Sequence, residues 1–75
     1  MGVDTVEFCR TLVATCATEL GVPADEAIAA AAHDRFADRV DEAYRVSAEQ
    51  QRLEPVRRLI VEMRQWIAAA LKAVG

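Results

Sequence analysis

The chain has 75 residues, which is enough for one domain, and we expect a single helical domain over residues 1–75. Its longest unbroken apolar runs have six residues, whereas a membrane-spanning helix needs about 20, so we expect no membrane partner. The net charge is −3, which argues against a chain that binds nucleic acid through its phosphates.

The first helix is predicted over residues 4–20. Asp4 and Glu7 stand three positions apart, the spacing of a capping box at a helix start. Apolar residues then recur at steps of three and four and form one stripe: Val6, Cys9, Val13, Cys16 and Leu20. Gly21 favours a left-handed stop, and Pro23 prevents the helix from continuing.

The second and longest helix is predicted over residues 23–47. Pro23 suits the first helical position because its missing N–H would have no partner there. Asp25 and Glu26 follow in the first turn, where the helix dipole favours acids. The apolar stripe of this helix contains Ile28, Ala32, Phe36, Val40 and Ala43.

The third helix is predicted over residues 54–74 and carries the widest apolar surface. Its central stripe steps by three and four and is made of Leu53, Val56, Ile60, Met63, Ile67, Ala70 and Val74. Leu59, Trp66 and Leu71 widen this stripe beyond what one neighbouring helix covers, which indicates a second partner. The expected dimer interface is Leu59, Met63, Trp66, Ile67, Ala70 and Leu71.

The connection between the second and third helices lacks glycine, and only Pro55 marks a break. The apolar faces of the two helices differ by roughly 130° at 3.6 residues per turn. We therefore expect a turn between Ser47 and Glu54, with a long helix kinked at Pro55 as the alternative. The resulting fold class is all-α, a small three-helix bundle that assembles as a dimer.

A chain of this length has little core, so a disulfide, a metal or a partner chain usually adds stability. Cys9 and Cys16 lie seven residues apart, about 10 Å along a helix, too far for a disulfide. Two unpaired thiols are typical of a reducing compartment, so we expect a cytoplasmic protein. Self-association is then the remaining source of stability, and we expect a homodimer or a complex with another protein.

Candidate ligand or metal contacts are His33, Cys16 and Tyr44, if the bundle brings them together. His33 is the only histidine and flanks the apolar stripe of the second helix, where imidazole serves as a base or a metal ligand. A hydrogen-bonded histidine at a helix boundary explains the same position. Buried thiols that act as small hydrophobes explain Cys16. We expect no catalytic residue, no metal and no cofactor.

Two short stretches resemble parts of known families. The stretch from Glu19 to Glu26 is similar to the end of the first helix in acyl carrier proteins, but their Asp-Ser-Leu motif is absent and the only serine is Ser47. Ala17-x3-Gly21 is similar to a helix-turn-helix core. The helix after it begins with acids that would repel phosphate, so we expect no nucleic-acid partner.

The leading functional hypothesis is therefore a non-catalytic helical interaction or oligomerisation module: an accessory subunit, an adaptor or an antitoxin-like partner. The apolar surplus of the third helix and the uneven charge support it. Residues 1–51 carry ten acids and four bases, whereas residues 52–75 carry two acids and five bases. The alternatives are a ligand- or metal-binding bundle with a pocket between helices, and a small dimeric enzyme.

Overall fold

A computed structural model describes residues 4–74 and contains three helices, which are α1 (Thr5–Leu20), α2 (Glu26–Gln50) and α3 (Glu54–Val74). The part of the chain between these limits contains no strand, so the predicted all-α three-helix bundle is confirmed, with α2 the longest helix. Residues 1–3 and 75 of the expected domain lie outside the described residues. The bundle measures 40 × 19 × 16 Å.

The helix starts follow from side-chain caps. Asp4 accepts a hydrogen bond from the Glu7 amide at 3.1 Å, as the capping pattern predicts. The prediction that α2 begins at Pro23 is wrong. The Asp25 carboxylate caps the helix by accepting from two amides, one of them that of Ala27 at 2.8 Å, so the helix begins at Glu26 and Pro23 lies in the connection.

Both connections use a residue in the left-handed conformation. Gly21 has φ 71° and ends α1, as predicted. At the end of α2 the same role falls to Gln51, with φ 54°, and the Arg52 amide donates to the Ser47 carbonyl at 3.0 Å. The chain therefore turns between Ser47 and Glu54 rather than kinking at Pro55. The helix α2 runs to Gln50, three residues beyond the predicted end.

The helix α1 lies across the hairpin formed by α2 and α3. Near its start, Thr5 contacts His33 of α2, and Arg10 pairs with Glu26 of the same helix. Near its end, Glu19 pairs instead with Arg64 of α3. One face of α1 therefore contacts both other helices, which encloses a single core.

The core is built from all three helices. Its largest fully buried side chains are Val13 and Cys9 of α1, Phe36 and Val40 of α2, and Met63 and Ile67 of α3. Leu59 and Leu71 are also buried, at 6% and 3% exposure. Four of the six residues expected at a dimer interface, Leu59, Met63, Ile67 and Leu71, thus lie inside the single chain. Trp66 and Ala70 remain partly exposed.

Within the described residues, none of the three helices is long and apolar enough to cross a membrane.

Candidate functional site

The two cysteines lie in the core and are unpaired. Burial raises the pKa of the Cys9 thiol above its ordinary value of 9.0. Burial also raises the pKa of the Cys16 thiol; the Arg64 charge lowers it and the Glu19 charge raises it. Nucleophilic attack and soft-metal binding require the thiolate, so this environment favours the role of small buried hydrophobes.

The histidine lies at the edge of α2, beside the start of α1. The His33 Nε2 atom is 3.1 Å from the Thr5 hydroxyl oxygen, and its Nδ1 atom is 3.9 Å from a carboxylate oxygen of Asp34. About a third of the His33 side chain is exposed. It borders a shallow groove between α1 and α2 whose polar lining also includes Arg10 and Glu26.

The third candidate, Tyr44, has different neighbours again. Its ring meets the Phe8 ring edge to face, with the centroids 5.9 Å apart. The three residues proposed as a shared ligand site therefore have three separate environments: His33 is in a surface groove, Cys16 is in the core, and Tyr44 packs on α1. Residues 4–74 hold no group of three or more histidine, cysteine or acidic side chains that is arranged to bind a metal.

A different surface emerges where α2 and α3 run side by side. We call it the α2–α3 face and define it as Arg35, Arg39, Glu42, Ala43, Val46, Pro55, Arg58, Leu59, Glu62 and Trp66. Eight of these residues line a groove of about 340 Å³, and Arg35 and Trp66 continue the surface beyond it. The groove has an apolar floor and a rim of two arginines and two glutamates.

At one end of the α2–α3 face, the Trp66 ring packs against an aromatic ring and a guanidinium of α2. The Trp66 ring meets the buried Phe36 ring edge to face at 5.8 Å. The guanidinium of Arg35 lies over both rings, 5.9 Å from the Trp66 centroid and 5.6 Å from that of Phe36. This stack covers part of the indole with cationic side chain and leaves the rest of the ring open.

Ion pairs within the chain hold the charges at the rim of the groove, including Glu42, whose carboxylate lies 3.7 Å from the Arg45 guanidinium. Arg39 of α2 pairs with Glu62 of α3, and Arg58 pairs with Glu54 one turn earlier on α3. These side chains are about half exposed or more, so each pair adds at most about 1 kcal/mol to stability. Their larger effect is to place alternating charges at fixed points along the face.

Sequence reasoning selected Trp66 and Leu59 on this face and missed its charged rim. A signal was present, because Glu54, Arg58 and Glu62 alternate in charge at steps of four along one side of α3. Which side of α2 faces them depends on the packing of the two helices, and periodicity within either helix alone leaves it open.

Comparison with models of known protein families, with curated proteins and with solved structures finds no match to this chain.

Proposed function

We propose that this chain is a non-catalytic helical interaction module of the cytoplasm that works as a homodimer. The observation that carries the proposal is the α2–α3 face, where Trp66 is only partly covered by its own chain and lies next to a groove lined by both apolar and charged side chains. Large aromatic rings at the surface are enriched where proteins bind each other. Two unpaired thiols support a reducing compartment.

The electrostatics of the chain support a binding role over a catalytic one. A catalytic acid, base or nucleophile needs a pKa tuned toward neutrality, whereas burial moves the pKa values of Cys9 and Cys16 upward, away from it. Many of the charged side chains form exposed ion pairs, including the pair of Arg10 and Glu26 between α1 and α2. Such pairs favour a surface that orients a partner.

The mass of the untagged protein in solution tests this proposal. Native mass spectrometry and light scattering at several concentrations should give a dimer that dissociates on dilution. Trp66→Glu should shift the equilibrium to the monomer, because a carboxylate would then lie in the apolar contact. Val61→Glu is the matched control: Val61 is on the same helix and already 55% exposed, so this variant should remain dimeric.

A monomer at every concentration would contradict the homodimer. A second protein that copurifies at fixed stoichiometry would replace self-association with a heteromeric complex. Circular dichroism of both variants shows whether the helices remain, so that a loss of the dimer is not confused with a loss of the fold.

The groove beside His33 favours a second candidate, a small-ligand binder. It brings an imidazole next to the guanidinium of Arg10 and the carboxylates of Glu26 and Asp34. Titration with Zn²⁺ and with small carboxylic acids, followed by the NMR signals of the His33 ring, tests this candidate. Shifts that saturate and that His33→Gln abolishes would support it, whereas unchanged signals would exclude these ligands.

A further inference from the structure

We infer that the α2–α3 face docks on the same face of a second copy of this chain, with α2 antiparallel to α2 and α3 antiparallel to α3. The inference rests on the proposed homodimer and names its surface and its symmetry. It follows from the register of the two helices and from the order of charges along them.

The register comes from side-chain contacts across the hairpin. Arg39 lies level with Glu62, with which it forms an ion pair, and Arg35 lies level with Trp66, whose ring its guanidinium covers. A step of four residues toward the start of α2, from Arg39 to Arg35, thus corresponds to a step of four residues toward the end of α3, from Glu62 to Trp66. The two helices are antiparallel neighbours with little relative slip over this segment.

This register aligns two charge pairs at one height. From these contacts and from that of Phe36 with Trp66, the midpoint between Arg39 and Glu42 on α2 lies level with the midpoint between Arg58 and Glu62 on α3 to within one to two residues, or about 1.5–3 Å. All four side chains belong to the rim of the same groove. On each helix, therefore, an arginine and a glutamate stand on opposite sides of a common centre.

A two-fold axis through this centre, in the plane of the face and perpendicular to the helices, makes the face complementary to itself. The axis reverses each helix, so it places Arg39 opposite Glu42 of the partner subunit. The same rotation places Arg58 opposite Glu62 of the partner subunit. Four contacts between opposite charges result, because each contact in a two-fold dimer occurs twice. Each contact extends ion pairs that its members already form within their own chains.

The apolar residues agree with the same axis. Trp66 lies five to six residues from the centre, and Pro55 lies at a similar distance on the other side. The rotation therefore brings the open part of the indole over Pro55 of the partner subunit. Ala43 and Val46, both partly exposed, lie along the same contact and supply apolar surface beneath the charges.

The order of the charged side chains along the α2–α3 face also indicates that the partner bound there is a second copy of this chain. The rim has two positive and two negative side chains, and the remaining cation of the face, Arg35, is held over the rings of Phe36 and Trp66. The face therefore offers little net attraction to a strongly acidic or strongly basic partner. Its alternating pattern instead requires a partner with the opposite order at the same spacing, and the two-fold related copy provides it. The contact is small, so we expect a dissociation constant in the micromolar range.

Charge exchange across the axis tests this geometry. Arg39→Glu places a carboxylate opposite Glu42 of the partner subunit at both copies of the contact, and Glu42→Arg creates the corresponding repulsion between two cations. Each variant alone should weaken the dimer at least tenfold. A 1:1 mixture of R39E and E42R should form a mixed dimer, and the double variant R39E/E42R should dimerise with itself, because opposite charges then meet again.

Native mass spectrometry separates mixed from matched dimers, since the two variants differ in mass. Arg10→Glu is the control, because it makes the same charge change in an ion pair on another surface and should leave the dimer intact. A wild-type dimer that R39E and E42R do not weaken, or whose mixture does not restore it, would overturn this geometry and leave the homodimer standing. A wild-type monomer would refute both.

Discussion

Phe36 and Trp66 meet edge to face with their ring centroids 5.8 Å apart and their planes at 79°. Phe36 is 1% exposed and lies in the core, whereas Trp66 reaches the surface. The contact thus joins the interior of the bundle to the face on which we propose that the dimer forms. Replacing Phe36 should therefore affect mainly the stability of the fold, whereas replacing Trp66 should affect mainly the dimer.

Phe36→Ala should lower the free energy of unfolding by about 3–5 kcal/mol, because it leaves a cavity among fully buried side chains. A domain of this length has a total stability of roughly 4–11 kcal/mol, so the variant should lose a large part of its stability. Trp66→Ala should cost less in the monomer, since part of its ring is already in water. Urea titration followed by circular dichroism measures both values.

Equal losses in the free energy of unfolding for the two variants would contradict the finding that Phe36 is buried and Trp66 is partly exposed. The comparison is made at a concentration below the dissociation constant of the dimer, so that Trp66→Ala reports on the fold alone. At high concentration, Trp66→Ala should be destabilised further relative to the wild-type protein, because only the wild-type protein gains stability from association.

The Ser47 side chain has a specific energetic cost. It is 7% exposed, and its hydroxyl has no hydrogen-bond partner in the described residues. Ser47→Ala should raise the free energy of unfolding by about 1 kcal/mol, because it removes a buried polar group that is unsatisfied. Ala48→Ser, at the adjacent exposed position, is the control that measures the helix propensity of serine against alanine without burial.

The urea midpoints of these two variants give the result. If Ser47→Ala gained no more than the control loses, the hydroxyl would not be unsatisfied in solution. A loss of stability on Ser47→Ala would mean that the hydroxyl bonds to a group that the bundle acquires in solution, such as water.

The two left-handed positions form a matched pair for a backbone prediction. Gly21 has φ 71°, and a Cβ atom built there meets nothing within 4 Å, so the cost of a side chain comes from the backbone alone. Gly21→Ala should destabilise by about 1 kcal/mol. Gln51 has φ 54°, and Gln51→Gly should stabilise by about 0.5–1 kcal/mol, because glycine adopts this conformation without strain.

Thermal unfolding of the two variants should thus move in opposite directions. A lower midpoint for both variants would show that the flexibility glycine adds to the unfolded chain exceeds the relief of strain at Gln51. A higher midpoint for Gly21→Ala would contradict the backbone cost at that position.

Much of the fold could be predicted from the sequence because the signals are local. Asp4 three residues before Glu7, and Gly21 before Pro23, mark the two ends of α1, and each α-helical stripe depends only on residues within a few turns. The start of α2 was missed because Pro23 and Asp25 both suit a helix start. The choice between them depends on which amides the Asp25 carboxylate reaches.

The candidate face could not be predicted in the same way. The wide apolar surface of α3 predicted that a second chain covers it. Leu59 and Leu71 are instead buried within the bundle, because α1 and α2 contact α3 from different directions. The match of Arg39 with Glu62 depends on the register of two helices joined by a turn. A change of one residue in that turn would pair different side chains without altering either helical pattern.

The cysteines give a prediction for pH and reactivity. Burial raises the pKa values of Cys9 and Cys16 above 9.0, so folding favours the protonated thiols. Their contribution to stability is then fully present below the unfolded pKa near 9 and is lost as the pH rises through the higher folded-state pKa. We expect the urea midpoint to fall above pH 9, and the Cys9→Ala/Cys16→Ala variant, although less stable, to show a smaller fall.

Thiol modification gives an independent measurement of the same environment. A disulfide reagent at pH 8 should modify native protein at least tenfold more slowly than protein unfolded in urea, because the thiols are both buried and protonated. Phe36→Ala should increase the rate, since it populates unfolded chains in which both cysteines are accessible. Rapid modification of the wild-type protein in the absence of urea would show that the core opens readily, and the interpretation of these thiols as inert core residues would be wrong.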